Sequence, residues 1–161
     1  MPTNSANRHK AFHRHPAHPP PVRRHNEPVI LHVTVCCLSR EGLLTGERQH
    51  AALLDAWRQA THWRTGEYMV MPDHIHFFCA PGIAEYPPIR RWVGYWKRVV
   101  GTVDPILKRV FQDDCWDTQV RDIDHYNEKL SYMRRNPERK QLVAQWEDWP
   151  YRGRVFDVHW W

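Results

Sequence analysis

The order of apolar patterns in this 161-residue chain predicts an α+β fold, a ferredoxin-like sandwich in which helices pack on a central antiparallel sheet. Two observations lead to this fold class. Segments of strand, helix and strand character follow one another, and the same order occurs a second time. The length also suits one ordinary domain with a substantial core, which we place at residues 29–144. One extra helix follows the second unit.

The first unit begins with a strand and a helix. Residues 29–36 are apolar and rich in β-branched side chains, which predicts a buried strand. Residues 43–62 predict a helix because their apolar side chains recur at helical spacing. The recurring residues are Leu53, Leu54, Trp57 and Ala60.

A hairpin links the first unit to the second. Residues 68–71 and 74–79 predict two strands that a turn at Pro72 and Asp73 joins. In a ferredoxin-like order the second of these strands lies in the middle of the sheet, so its side chains are well supported.

The second unit continues with a helix over residues 89–100, which Gly101 is expected to end. A short extended segment follows at residues 116–120. The extra helix covers residues 124–135, begins with an acidic turn and is expected to end at Asn136–Pro137.

Two segments flank this domain. Residues 1–28 are rich in His, Pro and Arg and have little to bury, which predicts a disordered arm. Metal capture and phosphate contact are functional alternatives for the arm. Residues 145–161 form a tail with many aromatic side chains, which is expected to pack against another part of the molecule.

Composition narrows the class of protein. The net charge of +5 favours a polyanionic partner, although many basic proteins have none. The four cysteines form no CxxC pair, which fits a reducing cytoplasm better than a disulfide framework. No stretch approaches the length of a membrane span or resembles a signal peptide, so we expect a cytoplasmic protein without membrane contact.

The run MPDHIHFF at residues 71–78 contains two candidate metal ligands. Side chains alternate between the faces of a strand, so His74 and His76 point the same way and Ile75 points toward a core. Two imidazoles on one rigid strand can form half of a metal site. Taken alone, a His-x-His pair on a strand is more often structural.

A second group of polar residues lies in the extra helix. Tyr132 and Asn136 are four residues apart, which places both side chains on one helical face. With the two histidines, the Asn136 amide oxygen could hold Mg²⁺ or Mn²⁺ and leave positions open for phosphate oxygens. Tyr132 could then act as a nucleophile.

These segments together resemble a known family. The run at residues 71–78 is similar to the HUH motif of single-tyrosine transposases, in which two histidines flank a hydrophobic residue. The later blocks resemble the REP-associated branch of that family, and the likeness covers roughly residues 29–151, which is most of the chain. These blocks are WDTQVR at 116–121, LSYMRRNP at 130–137 and DWP at 148–150.

The resemblance implies roles for four residues. His74, His76 and Asn136 match the metal ligands, and Tyr132 on the extra helix matches the nucleophile. The implied activity is cleavage and strand transfer of single-stranded DNA near palindromic hairpins, through a 5′-phosphotyrosyl intermediate. The implied cofactor is a divalent metal, Mg or Mn, and DNA as a substrate implies a nucleoid-associated protein.

Basic residues with aromatic neighbours are expected to bind the DNA, because single strands need cations for phosphates and rings for stacking. Solvated helix faces are the simpler explanation for part of this set. The candidates are Arg90, Arg91, Lys97, Arg98, Arg121, Arg134 and Arg135.

Two other functions remain open from the sequence. The chain could be a catalytically inactive protein of the same fold that binds DNA sequence-specifically. It could also be a metal nuclease in which water, and not Tyr132, attacks the phosphate. Whether the protein is a monomer or a homodimer is undecided at this level.

Overall fold

The computed structural model describes residues 16–161, in which five strands form one sheet and four α-helices pack against it. Residues 1–15, and with them half of the arm expected from the sequence, lie outside the described residues. The strands are β1 (Leu31–Cys36), β2 (Trp63–Val70), β3 (His74–Pro81), β4 (Trp116–Gln119) and β5 (Arg152–Arg154). The helices are α1 (Glu47–Gln59), α2 (Ile89–Val103), α3 (Ile123–Arg134) and α4 (Asn136–Arg139), and two short 3-10 helices are Pro105–Arg109 and Trp146–Asp148.

The strand order in the sheet is β4-β1-β3-β2-β5, and all neighbouring strands are antiparallel. The first four strands follow the ferredoxin-like order, which confirms the predicted α+β fold. As expected, β3 is central, with β1 on one side and β2 on the other. The fifth strand comes from the C-terminal tail and extends the sheet beyond β2.

The two faces of the sheet bury different clusters. Helices α1 and α2 cover one face, where five tryptophan and phenylalanine side chains that are at most 1 % exposed dominate the core. These side chains are Trp57, Trp63, Trp92, Trp96 and Phe77. Helix α3 and the tail cover the other face through a smaller cluster that includes Met71, Phe78 and Tyr126.

The predicted end of the second helix is wrong. Gly101 does not end α2, which continues to Val103. A glycine stands there because the chain packs closely, and a Cβ at this position would lie 2.9 Å from Lys108 Cα. The extra helix, α3, ends at Arg134, just before Asn136–Pro137 as expected, and that pair then begins the short helix α4. Proline is well suited to the first turn of a helix, where its missing N–H is not needed.

The segments that flank the domain contact it. Residues 16–28 contain no helix or strand, and part of this segment lies along β4, where Val22 N donates to Gln119 Oε1 at 2.8 Å. In the tail, the Trp149 indole donates to the Val70 carbonyl at 2.9 Å. No helix within residues 16–161 combines the length and apolarity required to cross a bilayer.

Candidate active site

Strand β3 presents its alternate side chains to the two faces of the sheet. Ile75 and Phe77 are fully buried in the core beneath α1 and α2. His74 and His76 point to the opposite face, toward α3, and their ring centroids are 4.8 Å apart. The alternation expected from the sequence therefore holds, and the two imidazoles are neighbours on the most central strand of the sheet.

The Nδ1 atom of each imidazole lies within hydrogen-bond distance of a side-chain oxygen. His74 Nδ1 lies 2.7 Å from the carboxylate of Asp73, and His76 Nδ1 lies 2.9 Å from the hydroxyl of Thr34 on β1. Such outer partners fix the orientation of a histidine ring and leave Nε2 as the nitrogen that can bind a metal. Sequence reasoning did not assign these roles to Thr34 and Asp73, although the period of two along β1 places Thr34 on the same face as the histidines.

Burial keeps the imidazoles of His76 and of its neighbour His32 neutral. It lowers the pKa of His76 to about 2, and His32, His74 and Lys129 lower it further. His32 lies on β1, its ring stacks on His76 with a centroid distance of 5.5 Å, and burial lowers its pKa to about 4. A neutral imidazole is the form that ligates metals, so the environment of His76 suits a ligand. Sequence reasoning did not single out His32.

Tyr132 and Asn136 approach His76 from the junction of α3 and α4. The Asn136 side-chain amide donates to His76 Nε2 at 2.9 Å and is buried. The Tyr132 ring stands edge-on to His76 with a centroid distance of 6.1 Å and is 47 % exposed. Arg135 retains helical backbone angles between the two helices, so the expected four-residue spacing still places both side chains on one face.

The donor set fits a divalent metal ion. Both Nδ1 atoms have hydrogen-bond partners, so Nε2 is the nitrogen that each ring can offer to a metal. The Asn136 amide already contacts Nε2 of His76. Rotation of the Asn136 amide by half a turn would replace its N–H by its oxygen, and the two amide orientations are related by that rotation alone. Two nitrogens and one amide oxygen are acceptable ligands for Mn²⁺ and Mg²⁺.

The basic residues expected to bind DNA are divided between two sides of the sheet. Arg90, Arg91, Lys97 and Arg98 lie on α2, in the layer opposite His74 and His76. The Lys97 amine donates to the main-chain carbonyls of Gln112 and Asp114, at 2.7 and 3.1 Å. Arg90 pairs with the carboxylate of Asp114 at 3.4 Å.

The other three predicted basic residues belong to the α3 side. Arg121 precedes α3 and its guanidinium Nε lies 3.4 Å from His125 Nδ1. Arg134 forms a two-pronged ion pair with Glu67 on β2, at 2.7 and 3.0 Å. Arg135 is exposed at the end of α3.

Sequence reasoning missed four further residues on the α3 side. Arg152 and Arg154 of β5 join Arg134 and Glu67 in a cleft of about 330 Å³. The Trp146 ring forms part of its wall, 4.8 Å from the guanidinium groups of both Arg134 and Arg152. Arg139 of α4 lies 4.7 Å from the Tyr132 ring. The alternation of arginines at 152 and 154 is a strand pattern that could have revealed this edge.

The fold has a solved counterpart. A REP-associated tyrosine transposase bound to a REP hairpin superposes on this chain with a TM-score of 0.65 and 22 % sequence identity. The likeness covers 85 % of this chain and 93 % of that one. No protein-family model matches the chain, and no curated protein matches it. At this identity the comparison establishes a shared fold, including the sheet on which His74 and His76 lie.

Proposed function

We propose that this protein cleaves and rejoins single-stranded DNA, as an HUH-type tyrosine transposase of the REP-associated branch. One observation carries the proposal: His76 contacts both the Tyr132 ring and the Asn136 amide, and the His74 ring lies beside it. A pair of adjacent imidazoles, a buried amide and an exposed phenol are the parts that such chemistry requires. A purely structural histidine strand has no need of this combination.

The reaction is a transesterification at phosphorus. The Tyr132 oxygen forms a bond to the phosphorus of a phosphodiester, and the bond from phosphorus to the 3′ oxygen breaks. The phenol proton leaves and the departing 3′ oxygen gains a proton, so the products are a 5′-phosphotyrosyl link and a free 3′ hydroxyl. Because the link retains the energy of the original ester, the reverse reaction can join a new 3′ end without a nucleotide cofactor.

The residues of the site have distinct tasks. His74, His76 and Asn136 would hold a divalent metal, Mg²⁺ or Mn²⁺, which polarises the phosphate and positions it for in-line attack. Asp73 and Thr34 keep the imidazole rings in the required orientation. The exposure of Tyr132 leaves its oxygen accessible to a strand that arrives from solvent.

The substrate is a strand that folds into a palindromic hairpin. The solved protein with this fold is bound to such a hairpin, and the cleft of Arg134, Arg152 and Arg154 lies on the same side of the sheet as Tyr132. Guanidinium groups bind backbone phosphates, and an indole such as that of Trp146 can stack on an unpaired base. With DNA as its substrate, the protein would be nucleoid-associated in the cytoplasm.

A labelled hairpin oligonucleotide with single-stranded flanks, incubated with Mn²⁺ and the protein, separates the candidate functions on a denaturing gel. The proposal requires a band that contains protein and DNA joined covalently. Cut DNA with no adduct at any time point would instead indicate a hydrolytic metal nuclease. Uncut DNA that shifts only on a native gel would indicate an inactive DNA-binding protein. Either of these two results would refute the proposal.

A further inference from the structure

A second group of potential metal ligands lies at the outer edge of the sheet, on β4 and the segment that precedes it. His18 contacts two carboxylates there, Asp114 through Nε2 at 2.8 Å and Asp117 through Nδ1. The thiol of Cys115 is the third member, and its side chain is 1 % exposed. The ligand atoms of His18, Asp114 and Cys115 all lie within 4.8 Å of one another.

We propose that His18 Nε2, Asp114 Oδ1 and Cys115 Sγ bind a divalent zinc-type cation, and that Asp117 orients the His18 ring. This site is separate from the one formed by His74 and His76. It does not depend on the proposed reaction, because none of its residues contacts Tyr132 or the two histidines of β3.

The three ligand atoms favour zinc over magnesium. One imidazole nitrogen, one thiolate and one carboxylate are ligands that Zn²⁺ accepts in tetrahedral sites, whereas Mg²⁺ prefers oxygen alone. Bonds of about 2.0–2.3 Å to a central ion would separate the ligand atoms by roughly 3–4 Å, which is below the observed limit of 4.8 Å. His18 Nε2 and Asp114 Oδ1, now 2.8 Å apart, would have to separate slightly to admit the ion. Water can complete the fourth position, because the side chains of His18 and Asp114 remain 17 % and 26 % exposed.

Asp117 supplies the outer partner that such a site requires. Its side chain is only 3 % exposed and accepts from His18 Nδ1, while Nε2 of the same ring faces Asp114. A carboxylate, a histidine and a metal in this order form a recurring arrangement in zinc proteins, in which the carboxylate fixes the tautomer. Asp117 is therefore a positioning residue, and its loss should weaken binding without abolishing it.

One neighbouring cation competes with the metal for the carboxylate. Arg90 pairs with Asp114 Oδ1 at 3.4 Å. Metal binding also has to displace the proton of Cys115, because the thiolate is the form of cysteine that binds metals. Each bound ion should therefore release protons.

The site would fasten the N-terminal segment to the sheet. His18 is four residues before Val22, whose backbone N–H and carbonyl both bond the Gln119 side-chain amide at 2.8 Å. A metal ion between His18 and the residues before β4 would add a second attachment to this edge strand. Binding should therefore slow tryptic cleavage after Arg23 and Arg24, both of which are exposed.

Cobalt tests the assignment, because a thiolate bound to Co²⁺ gives a sulfur-to-metal charge-transfer band that histidine and carboxylate ligands do not give. The full-length protein should show this band at one equivalent of Co²⁺, and Zn²⁺ should abolish it by displacement. The band should disappear in Cys115→Ser and in His18→Ala. Asp117→Asn should retain it with affinity reduced by about 10- to 100-fold, measured against a chromophoric chelator.

Cys36→Ser is the matched control, because Cys36 pairs with His74 across β1 and β3 and could supply a thiolate at the candidate active site. The proposal requires an unchanged band in Cys36→Ser. A band that is lost in Cys36→Ser and kept in Cys115→Ser would place the sulfur ligand at the other site and overturn the proposal. Absence of a charge-transfer band in the wild-type protein would overturn it equally. His18→Ala removes no core side chain, so misfolding cannot account for its result.

Discussion

The two faces of the sheet carry different kinds of side chain, although the same central strand supplies both. Toward α1 and α2, β3 contributes Ile75 and Phe77 to a core rich in tryptophan. Toward α3, it contributes His74 and His76, which meet Asn136 and Tyr132. One face thus stabilises the domain through apolar burial, and the other gives up part of that burial to hold polar groups in fixed positions. Substitutions on the two faces should therefore separate stability from activity.

The largest expected effect on activity comes from the polar face. His74→Ala should abolish metal-dependent cleavage of the hairpin oligonucleotide, because it removes one of three proposed ligands. The free energy of unfolding should change by less than about 1 kcal/mol, since the His74 side chain lies at the end of a strand and remains partly exposed. His62→Ala is the matched control, an exposed histidine outside this face, and it should cleave normally. Full activity in His74→Ala would remove the basis for the metal site.

The largest effect on stability should come from the apolar face. Phe77→Ala removes a fully buried ring that packs against Trp92 and Trp96, and should lower the free energy of unfolding by about 3–5 kcal/mol. His76→Ala, one residue earlier, should cost less, because it removes few apolar contacts. Urea unfolding of both variants measures the difference. Equal losses would show that the polar face also serves mainly as core.

Acid should destabilise the protein through the α3 face. The pKa of His32 is held at about 4 by burial, so below its ordinary value of 6.5 the unfolded chain binds this proton and the folded protein does not. The folded protein therefore suffers no loss of stability from His32 above about pH 6.5, and this loss grows as the pH drops toward 4. His32→Phe should reduce the loss between pH 7 and pH 4.5 by roughly 2 kcal/mol. Unfolding at both pH values in a chelating buffer checks this, and an unchanged loss would show that His32 titrates normally.

The smallest expected effect is on DNA binding, through the arginines that would contact the DNA backbone. Arg135→Gln and Arg152→Gln on the α3 side should each weaken binding of a single-stranded hairpin. Each lost phosphate contact should also reduce, by about 0.7, the slope of the logarithm of the binding constant against the logarithm of the salt concentration. Arg91→Gln and Arg98→Gln on α2 provide the matched pair on the opposite layer and should leave both quantities unchanged. Fluorescence titrations at several salt concentrations measure them. Equal losses on α2 would mean that DNA also follows the helical layer.

The sequence predicted the sheet order and the pairing of His74 with His76, because alternation along a strand is a local property. It also predicted the four-residue spacing of Tyr132 and Asn136, which survives the break between α3 and α4. It did not predict Thr34, His32 or the β5 arginines as neighbours of the site. Those contacts arise from strand pairing across the sheet, and the residues of one segment do not show which other segment pairs with it. The role of Gly101 depends in the same way on its contact with the distant Lys108.

The position of a covalent adduct would identify the nucleophile. Protein incubated with Mn²⁺ and the hairpin oligonucleotide is digested, and the nucleotide-bearing peptide is located by mass spectrometry. The nucleotide should lie on Tyr132, and Tyr132→Phe should form no adduct. Tyr95→Phe, which changes an exposed tyrosine on α2, should form as much adduct as the wild type. An adduct that persists in Tyr132→Phe, or that maps to another residue such as Tyr126, would contradict the role of Tyr132 as nucleophile.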